Sequence, residues 1–580
     1  MTNRRKPIAF DTTLRNPERI PQFVSILEPF EGKILNDKTA LYIEAEVIRN
    51  KLFQPTKATM GEYTKEYIGK FHFIAKDQSE KASQRVTEIF KRWDENDAGT
   101  VSVKDIIYLL ENTITKHKEK NWKGGWESRL WTQYRFLNEL GFIYFIKGEP
   151  IKISENGHLM IHEYSNGIPK KDTIDISYEQ SAFLIAFSKY QINNPYRKNT
   201  ISVNFFPLVL NTIKYLDEMH QKHGISKQDI SFIIAWNNND YIKLGEYIYN
   251  FRKKYGYKTS DQMVYEYAMN LLDDSTENKM IPANKEFIEK EKKNYKMRQI
   301  MIETPDEVIR KLRLTMLVSL KGIGNFIDIN HNENDKITYI IENMNANQNF
   351  SDENQYFEYM GSIEEILQFK NENDNSEKEF NEKITAIKKW SKELKWNVLK
   401  EELVKCIDKR QTNNNFLKYI NEPTRLEFLI AITVKKALPE VKVIPHYKAD
   451  DEGIPYNTAP GGVADIDVYE DDTHALVEPT ISKSRSFQSE HEIPSIRNHI
   501  QTTIETDKKS KEVFALFIAL PIINDTVYIA DFLKEKFGFE IYLWEADDFA
   551  EFSRNVKSIK DYKLIRSYAN AKSYNDIKNP

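Results

Sequence analysis

Asp465, Glu478 and Thr480 are the residues whose types and spacing point most directly to chemistry. They lie in PGGVADIDVYEDDTHALVEPTISKSRSF, residues 460–487. Alternation of apolar and polar residues predicts two strands joined by a tight acidic turn, Glu470-Asp471-Asp472. Asp465 stands at the head of the first strand and Glu478, thirteen residues on, in the second. Thr480 lies two residues past Glu478 and shares its face. Two carboxylates from paired antiparallel strands can hold a hard divalent cation. Mg2+ suits such a site, because it takes a few carboxylate oxygens, keeps waters and completes its shell with substrate phosphate. That ion can activate water and neutralise charge in phosphodiester hydrolysis. Asp467 shares the face of Asp465 and is the alternative ligand. Glu427, in TRLEFLIAI, is a carboxylate inside an apolar helical stretch. It can add a ligand or orient a water, or it can be a plain helix-surface acid.

These residues need strands and helices to place them. The C-terminal 170 residues alternate the two. NEPTRLEFLIAITVKKAL and SIRNHIQTTIETDKKS read as helices, and VKVIPHY, ADIDVYEDD, HALVEPTIS, VFALFIALP and EIYLWEADD as strands. VFALFIAL is continuously apolar, as in a strand buried on both faces. This predicts an α/β catalytic domain over 416–580. Residues 351–415 are charged, helical and poor in Gly and Pro, which reads as a helical linker of solvated amphipathic helices.

The first 350 residues read as mainly α, in two subdomains of about 1–200 and 201–350. SRLWTQYRFLNELGFIYF predicts a helix with Gly141 past its end. Asn156-Gly157 between alternating runs then predicts a hairpin. A helix followed by a hairpin is the winged-helix order, and Lys118, Lys120, Lys123, Arg129 and Arg135 lie on or before that helix. Further helices are predicted from Phe205, from Ser226 (with Asp229 completing a capping box) and from Tyr241. A helix capped by Thr304 should be followed by a second hairpin through NFIDINHNENDKITYII. Its basic face carries Arg310, Lys311 and Arg313. Asp94 to Asp105 imitates a calcium loop, but Ala98 and Asp105 weaken two ligand positions, so an ordinary turn is expected.

Composition excludes several classes. The 580 residues hold 83 Lys+Arg against 87 Asp+Glu, a net charge of −4, so the chain is no globally basic nucleic-acid binder. Division is more informative: residues 411–580 hold 21 basic and 27 acidic residues, leaving 62 against 60 for the remainder. A single cysteine, Cys406, excludes an internal disulfide and a cysteine zinc cluster, and suits a cytoplasmic protein. The N-terminal residues lack the apolar core of a signal peptide, and no apolar run of membrane-spanning length occurs.

The helix acid, Asp-x(12)-Glu-x-Thr across a hairpin, and the following helix and apolar strand resemble the PD-(D/E)XK nuclease core, with Thr480 at the usual lysine. More closely, FDTTLRNPERI, GISKQDISFIIAWNNND and ADIDVYEDD…VEPTISKS…FQSEHEIP resemble segments of the AlwI-like family of type IIS restriction and nicking endonucleases. The resemblance implies N-terminal recognition of double-stranded DNA, a helical linker and a C-terminal nuclease. By family position Asp465 and Glu478 bind the metal and Glu427 is the helix acid. Glu490 is a further active-site acid, with a solvated acidic turn as its alternative, and His499 is the candidate for the family's histidine. Lys483 is the other candidate for the missing lysine, if the chain bends at Pro479. The implied activity is Mg2+-dependent hydrolysis a few base pairs outside a short asymmetric site. The alternatives are a strand-specific nicking enzyme or the large subunit of a heterodimeric enzyme. One active site cuts one strand, so double-strand cleavage needs a second nuclease domain, from dimerisation or a small subunit. A non-catalytic DNA-binding regulator is the reading from another class. Base-reading candidates are Arg15, Arg19, Arg129, Arg135, Arg310 and Arg313, since arginine to guanine is the commonest specific contact.

Overall fold

The computed structural model describes residues 6–10, 19–53, 80–96, 98–113, 122, 125–170, 175, 177–197, 201–273, 278–322, 324–344, 346–369, 377–408, 410, 412, 414, 416–485 and 487–564. Arg15, Lys118, Lys120 and Lys123 lie outside the described residues. The chain forms two compact units: residues 1–315 with 334–371, and residues 316–333 with 372–580. The chain is thus multidomain, mainly helical, with a mixed sheet in the second unit.

The first unit is helical. Its long helices include Trp126–Glu139, Ser177–Lys189, Phe205–His220 and Tyr241–Tyr255. Phe10, Phe187, Tyr190 and Phe205 meet in its core, with ring centroids 5.2–5.7 Å from Phe10. Gly141 follows the first helix at φ +70, as expected of a helix terminator. Ser226 and Asp229 form the predicted capping box.

Two predicted hairpins are corrected. Residues Glu155–Met160, around Asn156-Gly157, form a helix instead of a hairpin wing. Ser154 caps it by accepting the Gly157 N–H at 2.9 Å. Buried Asn156 donates to the Ala182 carbonyl at 3.0 Å, and Gly157 lets the Phe142 carbonyl oxygen approach where a Cβ would sit. Both turn-forming residues are therefore used for packing. Two-residue strands Ile143–Tyr144 and Lys152–Ile153 do pair antiparallel, but ahead of this helix. In the second case Asn334–Asn343 is helical, and the hairpin lies earlier, Val318–Lys321 against Phe326–Ile329. The calcium-like loop is an ordinary turn: Arg49 donates to the carbonyls of Gly99 and Val101, and Asp105 pairs with Arg92 at 3.2 Å.

In the second unit the helices are α1 (Glu377–Glu393), α2 (Trp396–Ile407), α3 (Glu422–Ala437), α4 (Ile493–Thr506), α5 (Asn524–Phe537) and α6 (Ala546–Phe552). The strands are β1 (Lys442–Pro445), β2 (Ile466–Glu470), β3 (Thr473–Pro479), β4 (Glu512–Ala519) and β5 (Ile541–Glu545), in sheet order β5-β4-β3-β2-β1. β1, β2 and β3 are antiparallel neighbours, while β3, β4 and β5 run parallel. One face carries Leu476, Phe517 and Leu543, buried under Ile493, Ile496 and Ile500 of α4 and Val527 and Leu533 of α5. The other buries Trp544 against Phe549 of α6. The charged helices α1 and α2 pack against α3, burying Lys383, Leu399, Leu403 and Cys406. They are therefore part of this unit rather than a solvated spacer.

Candidate active site

The β2–β3 register pairs Ile466 with Val477 and Asp467 with Leu476. One step further, Asp465 stands opposite Glu478, and the Asp465 N–H donates to Glu478 Oε2 at 3.4 Å. The turn that sets this register is tight because Asp471 adopts the left-handed region, φ +50, which Asp tolerates better than most residues. Asp465, Asp467, Tyr469, His474 and Glu478 consequently share one face of the sheet.

The third acid arrives on α3, whose residues Thr424 to Val434 are all buried. Asn421 caps this helix by accepting the Thr424 N–H at 3.2 Å, and Pro423 sits in its first turn. Glu427 is 5% exposed, and its Oε2 accepts the Ala459 N–H at 3.1 Å. Burial, with the charge of Glu478 adding, pushes the Glu427 carboxyl well above the ordinary range. Burial again, and then the charges of Glu427, Glu478 and Glu492, do the same to Asp465. Ionised together, these carboxyls repel one another at a site with little water to screen them.

His499, on α4, faces Glu478: its Nδ1 lies 2.8 Å from Glu478 Oε1. Burial alone would push the imidazole pKa down. The hydrogen bond and charge of Glu478 outweigh that, with Asp467 and Glu492 adding, so it is raised. Asp467 is engaged elsewhere. Its two oxygens meet His446 Nε2 at 2.8 Å and His474 Nε2 at 3.0 Å, while His474 Nδ1 meets Asp507 Oδ2 at 3.0 Å. Burial opposes ionisation of Asp467, but the two imidazoles prevail and bring it down to about 2. A recess of about 360 Å3 lies along this face, lined in part by His446, Asp467, His474 and His499.

The other expected residues fall apart from this cluster. Glu490 is exposed on the short π-helix Phe487–Glu492 that leads into α4. Besides Glu478, the acid whose charge acts on both Asp465 and His499 is Glu492, which the sequence reading missed. A signal existed: Glu492 and His499 are seven residues apart, two helical turns on one face, whereas Glu490 is nine away. Lys483 is exposed and pairs with Asp408 at 2.7 Å. Buried Thr480 accepts the Ser482 N–H at 3.1 Å. Of the arginines, Arg313 is 4% exposed and Arg129 and Arg310 are partly buried. Arg135 pairs with Glu139 at 3.3 Å, and Arg19 donates to the Lys51 carbonyl at 3.2 Å.

The donors at Asp465 and Glu478 are hard oxygens in a cluster of crowded carboxyls, which fits a hard divalent cation that would favour their ionised forms. Among the described residues, three or more potential ligand atoms lie within 4.8 Å of one another at Glu545, Asp547 and Asp548, at the end of β5. Asp465 and Glu478 form a facing pair, with Glu427 behind, rather than such a closed group.

Facing carboxylates on adjacent antiparallel strands, a buried helix acid and a supporting histidine define a site suited to metal-assisted hydrolysis. The chain belongs to the AlwI restriction endonuclease family, whose model matches residues 138–401 and 361–539. It is a site-specific deoxyribonuclease. Among solved structures, the small subunit R.BspD6I2 of the heterodimeric restriction endonuclease R.BspD6I is 23% identical, with a TM-score of 0.23, over 27% of this chain and 77% of that one. Restriction endonuclease FokI is 12% identical, with a TM-score of 0.24, over 95% and 96% of the two chains. FokI bound to DNA is 10% identical, with a TM-score of 0.23, over 97% and 98%. None of the curated proteins compared matches this chain. No helix among the described residues is long and apolar enough to cross a membrane.

Proposed function

We propose that the chain is a type IIS restriction endonuclease that hydrolyses DNA phosphodiester bonds a few base pairs outside a short asymmetric sequence, with Mg2+ as cofactor. The observation that carries this reading is the Asp465–Glu478 pair, held face to face by the β2–β3 register with Glu427 behind it. Mg2+ held by Asp465 and Glu478 would polarise the scissile phosphate and make water a better nucleophile. Glu427, fixed by the Ala459 N–H, would orient that water. His499 would hold Glu478 in place. The first unit would read the sequence and the second would cut.

This chain carries one such carboxylate pair among its described residues, which favours cutting one strand per copy. Double-strand cleavage would then need a second nuclease domain, from self-association or a small subunit. Without it the enzyme would nick. The test is to digest plasmid DNA with the purified chain and Mg2+ and to sequence the ends. Cuts at one fixed offset from one asymmetric site, lost in Asp465→Ala and Glu478→Ala while DNA binding persists, support the reading. A wild-type protein that binds DNA but cuts no plasmid with Mg2+ or Mn2+ would instead be a non-catalytic regulator.

A further inference from the structure

Tyr241–Tyr255 is a fifteen-residue helix whose buried stripe, Leu244, Tyr247, Ile248 and Phe251, ties it to the core of the first unit. Its opposite stripe carries exposed Lys243, Asn250, Lys253 and Lys254. That stripe borders an open trough of about 810 Å3, whose other lining includes the amides of Asn237 and Asn278 and the acids Glu246 and Asp273. The trough is firmly built. The Trp236 indole N–H and the Asp240 N–H both donate to Asn238 Oδ1, at 3.0 and 2.9 Å, and Asp240 caps the helix by accepting the Lys243 N–H at 3.0 Å.

The cations here differ from the six arginines considered above. Among the described residues no carboxylate lies within 4.0 Å of Lys253 or Lys254, whereas Arg135 is already paired. Glu246, the acid in the middle of the stripe, is engaged by Tyr215 at 2.8 Å and His220 at 2.6 Å, and its other oxygen accepts a long bond from Asn250 Nδ2 at 3.3 Å, which a base edge would replace. Lys253 Nζ stands over the Tyr249 ring at 5.7 Å and Lys254 Nζ over the Tyr255 ring at 5.0 Å, so neither charge is neutralised by a carboxylate. Two such ammonium groups on a rigid helix beside side-chain amides match the two needs of a DNA-reading surface. Ammonium groups neutralise phosphates, and amides hydrogen-bond to base edges. Cations near a helix C-terminus also complement the helix dipole, which accounts for their position but not for the amide-lined trough.

We infer that this face receives duplex DNA, with Lys253 and Lys254 on phosphates and the Asn250 amide on a base edge in the major groove. The inference rests on the proposed function and assigns its substrate a docking face. Asn250 suits adenine, which offers an acceptor and a donor to one side-chain amide.

The test uses the full chain and a duplex oligonucleotide carrying the site found by end sequencing. Binding is measured in EDTA over a range of salt for wild type, Lys253→Ala/Lys254→Ala and Asn250→Ala. The double variant should weaken binding to cognate and unrelated duplexes alike and flatten the slope of log affinity against log salt by about 2. Asn250→Ala should lose about 10- to 100-fold in affinity for the cognate duplex alone and relax the cleaved sequence at one position. All three substituted residues are exposed, so far-UV circular dichroism should match wild type. An unchanged salt slope, or an Asn250→Ala enzyme with unchanged affinity and site, overturns the inference. Failure of the wild-type enzyme to cut would overturn the proposed function instead.

Discussion

His499 Nδ1 lies 2.8 Å from Glu478 Oε1, so a helix packed on the sheet fixes one of the two facing carboxylates. Glu478 is 6% exposed. Without that partner its oxygen would be buried with one hydrogen bond fewer, and its position less defined.

His499→Ala is therefore expected to lower kcat by about 10- to 100-fold, the range for loss of a group that orients a ligand. The Mg2+ needed for half-maximal rate should rise too, while DNA affinity in EDTA stays the same. A rate within twofold of wild type across a Mg2+ titration would remove His499 from the site.

Glu427 and Asp465 have folded-state pKa values raised above ordinary carboxyls. The unfolded chain ionises them first, so in metal-free protein their contribution to stability is lost as pH rises above about 4. Mg2+ binding should ionise Asp465 and release a proton, and its affinity should rise with pH. Calorimetry in buffers of different ionisation enthalpy measures the release. Metal uptake with no proton release and a flat pH dependence would contradict it.

Asp465→Asn removes one of the crowded charges. Metal-free thermal stability near neutral pH should stay the same or increase, while Mg2+-dependent cleavage is lost. A large fall in melting temperature would mean that Asp465 is structural.

Asp467 behaves in the opposite way. Its pKa of about 2 in the folded state means that its stabilisation is present above its ordinary value near 4 and lost as pH falls toward 2. Asp467→Asn should cost roughly 2 kcal/mol at neutral pH, on the scale of 1.4 kcal/mol per unit. The difference from wild type should shrink on acid titration. Urea unfolding at a series of pH values checks this, and a gap that persists at about pH 2 would exclude the mechanism.

Gly157→Ala should destabilise the first unit by about 2–4 kcal/mol, since a Cβ there overlaps the Phe142 carbonyl oxygen. If position 157 were the tip of a solvated turn, the change would cost little. Denaturant unfolding of the two proteins separates these outcomes.

Much of the second unit was legible. Period-two alternation marked β2 and β3, and continuous apolarity marked β4, because pleat and burial impose those patterns directly. The acidic turn was legible for the same reason, since its register follows from local geometry. Asn156-Gly157 misled because those residues promote turns only when solvent-exposed. Here Ser154 capping and close packing against Phe142 and Ala182 outcompete that preference. The charged helices α1 and α2 misled similarly: composition records that a helix has a polar side, but not what covers its apolar side.

By itself the sequence determined the strand pair and therefore the facing of Asp465 and Glu478, because a two-residue period and a tight turn leave one register. Only tertiary structure decided which other groups join them. Glu427 and His499 are 51 and 21 residues from Glu478 and reach it through helix packing. Asp467, on the same face as Asp465, is drawn away by His446 and His474, and the charge felt at Asp465 and His499 is that of Glu492 rather than Glu490. Pattern along a chain fixes local direction. The choice among equivalent carboxyls depends on which distant side chains the packed core brings near each one.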